Sequence, residues 1–132
     1  HDVGKIGIPD NILRKPRAFT KEEKVIMRTH PSFAYELLWP IAFLSEAIIV
    51  PYCHHERWDG KGYPQGLKGD EIPLLARIFS VADVYDAMTS DRPYRKARTH
   101  EEAIKYIRSQ SGRHFDPHIV DVFLEIVDKI KD

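Results

Sequence analysis

The chain has 132 residues, of which 42% are hydrophobic, so it is long and apolar enough to form one folded domain, and disorder is excluded. Its 20 Lys and Arg residues balance 20 Asp and Glu residues, which excludes a general electrostatic attraction to duplex nucleic acid or to an anionic membrane. Cys53 is the single cysteine, so an internal disulfide is excluded and a reducing, cytoplasmic location is expected. The most apolar segment, residues 40–52, is too short to span a bilayer, and no signal-peptide pattern is visible.

The first third of the chain predicts a loop followed by two helices. Residues 2–16 are rich in glycine and proline and predict mostly loop. Thr20 and Glu23 form a capping box, which predicts a helix that continues toward His30. Pro31 suits the first turn of a second helix. Its predicted buried face consists of Phe33, Leu37 and Leu38.

The middle of the chain predicts two more helices on either side of a glycine-rich turn. Ser45 is expected to begin a helix that continues to about Arg57, with Pro51 bending or delaying it. After the turn, Pro73 predicts the clearest helix, which continues to about Ser90. Its apolar side chains recur at helical spacing: Leu74, Leu75, Ile78, Val81, Ala82 and Tyr85.

The last third predicts two amphipathic helices and completes an all-α fold. Thr99 and Glu102 form a second capping box, and Pro117 suits the first turn of a final helix. No segment alternates apolar and polar residues for long enough to predict a sheet. No interdomain linker is visible, so a second domain is not expected.

The histidines predict a metal site. Four of the seven occur in unusual company: His1 beside Asp2, His30, and the adjacent pair His54 and His55. Neutral imidazoles and carboxylates are ligands that suit Fe, Mn, Zn, Co and Ni, whereas a structural zinc knuckle would need several thiolates. The other three histidines are interpreted as structural or exposed: His100, His114 and His118.

The adjacent histidines leave two interpretations open. On one helix, side chains at neighbouring positions diverge by about 100°, so a single compact metal would use both with difficulty. Two metals could take one imidazole each, which favours a multinuclear site. Alternatively, one of His54 and His55 is a ligand and the other faces solvent.

Two carboxylates three residues apart occupy one face of the helix after Pro73. Asp83 and Asp86 lie in the otherwise apolar run FSVADVYDAM. A buried carboxylate is unfavourable unless it is paired or bound to metal. Asp83 is therefore interpreted as a ligand and Asp86 as a supporting or substrate-contacting group, while ion pairs with Arg92 or Arg95 remain the alternative.

Four sequence blocks carry a resemblance to a known family. HDVGKIGIPD resembles the HD-x-G-K signature of the HD superfamily of metal-dependent phosphohydrolases, and HHERWDGKGYP is similar to the HHE-x-x-DG-x-GYP motif of its HD-GYP branch. VADVYDAMTSDRPYR and GRHFDP are similar to later blocks of that branch. The resemblance implies an HD-type helical bundle with a glycine-rich GYP turn. It also implies that residues 1–132 are the C-terminal major part of a single HD-GYP domain.

The resemblance implies a role for each matching residue. Asp2 would bridge metals and, with Lys5 near the scissile phosphate, would act in catalysis. The implied metal ligands are His1, Asp2, His30, His54, His55 and Asp83. The implied substrate-binding residues are Asp86, Arg92, Arg95, Gly62, Tyr63 and Pro64.

The same resemblance implies an activity in bacterial signalling. Family members hydrolyse cyclic di-GMP to the linear dinucleotide, to GMP or to both, with two or three divalent metals, most often Fe or Mn. The alternatives are a related phosphohydrolase acting on another cyclic nucleotide, and a non-catalytic module that binds a cyclic dinucleotide or docks on a protein. The family's domain normally has further helices upstream, which contribute at least one histidine ligand. These helices and a sensory or receiver domain are expected in the parent protein, and a homodimer is left open.

Overall fold

The computed structural model describes residues 1–92 and 95–129, and within them the backbone is helical. Only two isolated β-bridges accompany the helices in this part of the chain, so the predicted all-α fold is confirmed. None of the described helices is both long and apolar enough to cross a membrane. The α-helices are α1 (Asp10–Leu13), α2 (Lys21–Met27), α3 (His30–Leu38), α4 (Ile49–Cys53), α5 (Leu74–Thr89), α6 (His100–Ser109) and α7 (Pro117–Ile126). Short 3-10 helices cover Val3–Gly7, Ala42–Leu44, Gly69–Glu71 and Val127–Lys129.

The helix starts predicted at Thr20, Pro31, Pro73, Thr99 and Pro117 are confirmed. At α2, Glu23 N–H donates to Thr20 Oγ1 at 3.2 Å and Thr20 N–H donates to the Glu23 carboxylate at 2.8 Å, which completes the capping box. Thr99 and Glu102 form the same pair of bonds at α6. Pro residues also occupy the first turns of α3 and α7, and Pro73 directly precedes α5, because a proline at these positions removes no helical hydrogen bond.

Two predicted boundaries are wrong. The segment 2–16, expected to be mostly loop, contains the 3-10 helix Val3–Gly7 and the short helix α1. The helix expected from Ser45 to about Arg57 is only α4, because the chain tightens after Cys53 into a turn in which Glu56 N–H donates to the Cys53 carbonyl at 3.0 Å. His54 therefore caps the C-terminal end of α4, directly after Cys53, and His55 lies beyond the helix.

The buried face of α3 also differs from the prediction. Phe33 is 38% exposed and Leu37 is 48% exposed, whereas the buried residues of α3 are His30, Pro31 and Ala34. The reason is the close approach of the 3-10 helix Val3–Gly7: a Cβ on Gly4 would lie 1.8 Å from the His30 carbonyl oxygen. This contact turns the His30 face of α3 inward and places the first residues of the chain beside it.

Helix α5 joins two apolar clusters. In one cluster, Val81 packs with buried side chains of α6, α7 and the loop before α7: Ile107, Phe115 and Val120. In the other, Ala76 packs with Cys53 and Ile72, and burial raises the pKa of the Cys53 thiol to about 11. The α5 residues Leu74, Leu75 and Ile78 are exposed.

Candidate metal centre

The His1–Asp2 pair is held at the start of the 3-10 helix Val3–Gly7. Lys5 N–H donates to the Asp2 carbonyl at 3.0 Å, and the Lys5 ammonium donates to Asp2 Oδ2 at 2.5 Å. Asp2 is a partly exposed carboxylate with a fixed cation on one side. Because Gly4 seats this segment against α3, the Asp2 carboxylate faces the imidazole of His30.

His30 and His54 share one hydrogen-bonding pattern. His30 Nδ1 lies 2.7 Å from the Met27 carbonyl oxygen, and His54 Nδ1 lies 3.0 Å from the Pro51 carbonyl oxygen. A carbonyl can only accept, so Nδ1 carries the hydrogen in both rings and Nε2 keeps its lone pair. Both Nε2 atoms are buried and have no hydrogen-bond partner among the described residues. A buried nitrogen with a free lone pair, oriented by a carbonyl at the other ring nitrogen, is the usual arrangement of a metal-binding histidine.

The Nε2 atoms of His30, His54 and His1 lie around the Asp2 carboxylate. Asp2 Oδ1 lies 3.7 Å from His30 Nε2 and 3.9 Å from His54 Nε2, whereas Asp2 Oδ2 lies 3.5 Å from His1 Nε2. His1 Nε2 is also 3.6 Å from Asp83 Oδ1. The donor atoms form two overlapping groups, each within 4.8 Å: one of His30, His54 and His55, the other of His1, Asp2 and His54. The residues present therefore fit divalent metal ions, with His54 common to both groups and Asp2 Oδ1 also facing His30 of the first group.

The adjacent histidines face the same space. Because His54 ends α4 and His55 lies beyond it, the 100° divergence of an uninterrupted helix does not apply to this pair. Their ring centroids are 4.0 Å apart with an interplanar angle of 42°. Both rings line one cavity of about 350 Å³ together with His1, Asp2 and Asp83, and His30 lies buried beside it. The structure thus brings together the six residues predicted as ligands.

Burial keeps the imidazoles neutral. It lowers the pKa of His30 and His54 below the ordinary value of 6.5, and it lowers the pKa of His55 to about 3, with neighbouring histidines adding to the shift. Neutral imidazole is the form that binds metal. The three rings therefore need no deprotonation near neutral pH.

The pKa values of the two carboxylates of the centre, Asp2 and Asp83, are shifted in opposite directions. Burial acts to raise the pKa of Asp2, but the hydrogen bond and charge of Lys5 outweigh it, and the net pKa is lowered. Burial raises the pKa of Asp83, and only the neighbouring His54 and Arg92 oppose that shift. Asp83 has no strong local cation comparable to Lys5, so a nearby metal ion would stabilise its charged form more than that of Asp2.

Two of the predicted substrate-binding residues line the same cavity, and one lies elsewhere. Asp86 and Arg92 face it, with Arg92 Nη2 3.8 Å from Asp86 Oδ2. Arg95 instead donates to the Ala87 carbonyl and lines a separate cavity of about 240 Å³. The backbones of Arg92 and Arg95 pair with each other through two hydrogen bonds, Arg92 N–H to the Arg95 carbonyl and Arg95 N–H to the Arg92 carbonyl.

The glycine-rich turn folds back onto the histidine pair. A Cβ on Gly62 would lie 2.5 Å from the His55 carbonyl oxygen and from the Arg57 backbone nitrogen, so only glycine fits there. Tyr63 N–H donates to the same His55 carbonyl at 3.2 Å. Gly62 and Tyr63 line a second cavity, of about 430 Å³, which shares His55 with the metal cavity. Pro64 follows in the same turn and lines neither of these two cavities.

Glu56 is a positioning residue that the sequence analysis missed. Its side chain is 2% exposed, and its two carboxylate oxygens accept from Gln65 N–H at 2.7 Å and Leu67 N–H at 2.9 Å. These bonds tie the far end of the glycine-rich turn to the residue after His55. The signal was present in the sequence, since Glu56 is an acid placed between the histidine pair and a turn whose backbone amides need acceptors.

The remaining histidines lie outside the metal cavity, as expected. The His100 ring is 2.9 Å from the Tyr85 hydroxyl, and the His114 ring stacks on Phe115. His118 is in the first turn of α7, where its N–H donates to Asp116. Trp58, expected to be a packing residue, lies against the guanidinium of Arg77.

Comparisons with known proteins agree with this centre. The family model for the HD domain matches residues 1–119. A cyclic di-GMP phosphodiesterase response regulator, RpfG of Xanthomonas campestris pv. campestris, is 49% identical over 94% of this chain and 33% of its own length. A cyclic di-GMP phosphodiesterase of Thermotoga maritima is 47% identical over 100% of this chain and 36% of its own length.

A solved structure shares the fold. The crystal structure of a cyclic GMP-AMP specific phosphodiesterase of V. cholerae aligns with a TM-score of 0.55 and 26% identity, over 89% of this chain and 31% of that one. The chain thus spans about a third of the length of the relatives it matches. With the family match over residues 1–119 and the histidine–aspartate centre in place, the chain belongs to the HD domain family, in the HD-GYP branch that its motifs indicated.

Proposed function

We propose that this chain supplies the catalytic centre of a metal-dependent phosphodiesterase that hydrolyses cyclic di-GMP. The observation that carries the proposal is the placement of Asp2, with Oδ1 facing His30 and His54 and Oδ2 facing His1. A carboxylate whose two oxygens face different imidazoles would suit a position between two divalent ions. A binding module without catalysis would not need this arrangement.

At least two divalent ions, with Fe or Mn preferred, belong to this proposal. The six proposed ligands are four imidazoles and two carboxylates, which suit Fe, Mn, Zn, Co and Ni alike, and the resemblance to the HD-GYP branch favours Fe or Mn among these. The two overlapping groups support at least two ions. A third would draw on a ligand outside this set.

The other residues of the cavity act on the anionic substrate. Divalent ions held by these ligands would lower the pKa of a bound water and would present positive charge to the phosphodiester. Lys5 is placed beside Asp2, where its ammonium can bind a phosphoryl oxygen as charge develops there. Arg92 faces the same cavity from the end of α5 and can bind a second phosphoryl oxygen, with Asp86 orienting its guanidinium.

The relatives support cyclic di-GMP as the first substrate to test. The two relatives with 49% and 47% identity are named for cyclic di-GMP, whereas a 3'3'-cGAMP-specific phosphodiesterase of Vibrio cholerae is 42% identical over 95% of this chain. Both cyclic dinucleotides present the same charged backbone to the metals. We infer that hydrolysis yields the linear dinucleotide first and GMP if the second bond is also cut.

The test compares Asp2→Ala with Asp10→Ala in the Fe- or Mn-loaded protein. Asp10 is an exposed carboxylate in the first turn of α1, so it is a matched control. We expect Asp2→Ala to lose bound metal and several orders of magnitude in cyclic di-GMP turnover, while Asp10→Ala changes neither. Near-normal turnover by Asp2→Ala would overturn the assignment. Faster hydrolysis of 3'3'-cGAMP would move the chain to the second substrate, and metal binding without hydrolysis of either would favour a binding module.

We also propose that the chain works as the C-terminal major part of a single HD-GYP domain. Leu74 and Leu75 are 53% and 55% exposed on α5, although α5 is the central helix of the fold. Fully burying a leucine contributes roughly 1.5–3 kcal/mol, so covering the exposed half of each side chain contributes about half of that. Upstream helices, as in relatives of this type, would supply the cover. Residues 1–132 alone should then melt lower and bind less metal than a chain extended upstream, and equal melting and equal metal content would refute the proposal.

A further inference from the structure

His55, which is partly buried, is held differently from His30 and His54, the two buried imidazoles of the centre. His30 and His54 are oriented by hydrogen bonds from Nδ1 to backbone carbonyls. Within residues 1–92 and 95–129, the His55 ring makes no such bond, and its neighbours are other rings. A histidine ligand without a hydrogen bond at its second ring nitrogen is free to rotate unless packing fixes it.

Among the rings around His55, the Tyr63 ring is the one that stacks on it. The two ring centroids are 4.8 Å apart, and the planes differ by 22°, so the rings are stacked. The backbone brings this contact about, because Tyr63 N–H donates to the His55 carbonyl and Gly62 allows the turn to approach the same carbonyl closely. The Tyr63 side chain lines the second cavity and not the metal cavity, so its hydroxyl is not placed among the metal ligands.

Arg28 in turn lies over the Tyr63 ring. Its guanidinium carbon is 5.2 Å from the ring centroid, within the range of a cation–π contact. Arg28 directly follows Met27, whose carbonyl accepts the hydrogen bond from His30. The end of α2 therefore touches two imidazoles of the centre, His30 through a carbonyl and His55 through the Tyr63 ring.

We propose that Tyr63 is a positioning residue for His55, acting through the face of its ring, and that Arg28 holds that ring in place. The proposal rests on the proposed function in one respect, because it takes His55 as a metal ligand. It assigns the tyrosine of the GYP turn to the metal centre instead of to substrate contact. The phenyl ring is the part that matters, so phenylalanine should replace Tyr63 and an aliphatic side chain should not.

The experiment measures metal binding without substrate. Mn²⁺ affinity is determined by competition with a chelator, and the visible absorption of the Co²⁺-loaded protein reports ligand geometry. Tyr63→Phe should keep wild-type affinity and spectrum, whereas Tyr63→Leu should weaken binding about 10- to 100-fold, the range seen when a supporting partner of a ligand is removed. Tyr63→Leu should also change the Co²⁺ spectrum.

Arg28→Met provides a second variant that keeps the fold intact, since Arg28 is exposed. It should weaken Mn²⁺ binding less than Tyr63→Leu does and alter the Co²⁺ spectrum in the same direction. Arg14→Met, another exposed arginine, is the matched control and should change neither. Melting of the metal-free variants shows whether each one is folded.

Three results would overturn the proposal. One is wild-type Mn²⁺ affinity and Co²⁺ spectrum in both Tyr63→Leu and Arg28→Met. Another is a loss in Tyr63→Phe as large as in Tyr63→Leu, which would assign the role to the hydroxyl. The third is unchanged metal binding in His55→Ala, which would remove the ligand that Tyr63 is inferred to position. A wild-type protein that binds metal but leaves cyclic di-GMP intact would overturn the proposed function and not this inference.

Discussion

Replacing Glu56 by glutamine should destabilise the protein far more than the same change at an exposed glutamate. Glu56 is buried, and both of its oxygens accept from backbone amides in partly buried hydrogen bonds, Gln65 N–H at 2.7 Å and Leu67 N–H at 2.9 Å. Glutamine keeps one acceptor, but its NH₂ group must then face the other N–H donor. One charge-assisted bond is lost and one donor is left unpaired, so we expect a loss of about 2–3 kcal/mol in the free energy of unfolding. This is a large share of a typical domain stability of about 5–15 kcal/mol.

Glu71 offers a matched control for this change. Its carboxylate also accepts a backbone bond, from Lys68 N–H at 2.9 Å, but it is exposed. Water can replace that partner, so Glu71→Gln should cost about 0.5 kcal/mol or less. Urea unfolding of both variants measures the difference through the shift in midpoint at constant m-value. If Glu56→Gln shifts the midpoint no more than Glu71→Gln does, the two bonds do not hold the glycine-rich turn, and the reasoning fails.

The other predictions concern the substrate cations and a buried histidine. Lys5→Met should lower turnover while the bound metal is retained, as measured by metal analysis beside steady-state kinetics. Arg92→Ala should raise the KM for cyclic di-GMP more than it weakens metal binding, and Arg95→Ala, which changes a side chain outside the metal cavity, should raise it less. Burial lowers the pKa of His114 from 6.5 to about 4, with Arg57 adding to the shift, so the unfolded chain binds a proton in this window that the folded chain does not. The free energy of unfolding should therefore fall as the pH drops from about 6.5 to about 4, and His114→Gln should flatten that part of the pH profile.

Local chemistry made much of the fold predictable from the sequence. The capping boxes at Thr20 and Thr99 depend on residues three apart, and Pro73 and Pro117 act on their own first turns. Each signal is complete within a few residues, so no distant contact can override it easily. The grouping of the six proposed ligands was predictable for another reason: the motif blocks carried it, although the residues are far apart in the chain.

The mispredicted buried face of α3 depends on a contact that is distant in the chain. Phe33 has the right spacing for a buried face of α3, but the close approach of Gly4 selects the His30 face. Arg95 lies in the same motif block as Arg92 and lines a separate cavity, so its contact with substrate stays a prediction. Periodicity states which residues of a helix share a face, and it does not state which face meets a partner.

The histidine pair explains why the chain turns so tightly after His55. A single uninterrupted helix would send His54 and His55 in directions about 100° apart, and they would not share one cavity. Ending α4 at Cys53 removes that constraint, but it leaves His55 without the carbonyl partner that a helix end gives to His54. The returning turn supplies the missing support, because Gly62 admits the chain to the His55 carbonyl and Tyr63 then covers the imidazole. Glycine and tyrosine in this motif are thus two parts of one arrangement: the first permits the approach, and the second makes the contact that the approach allows.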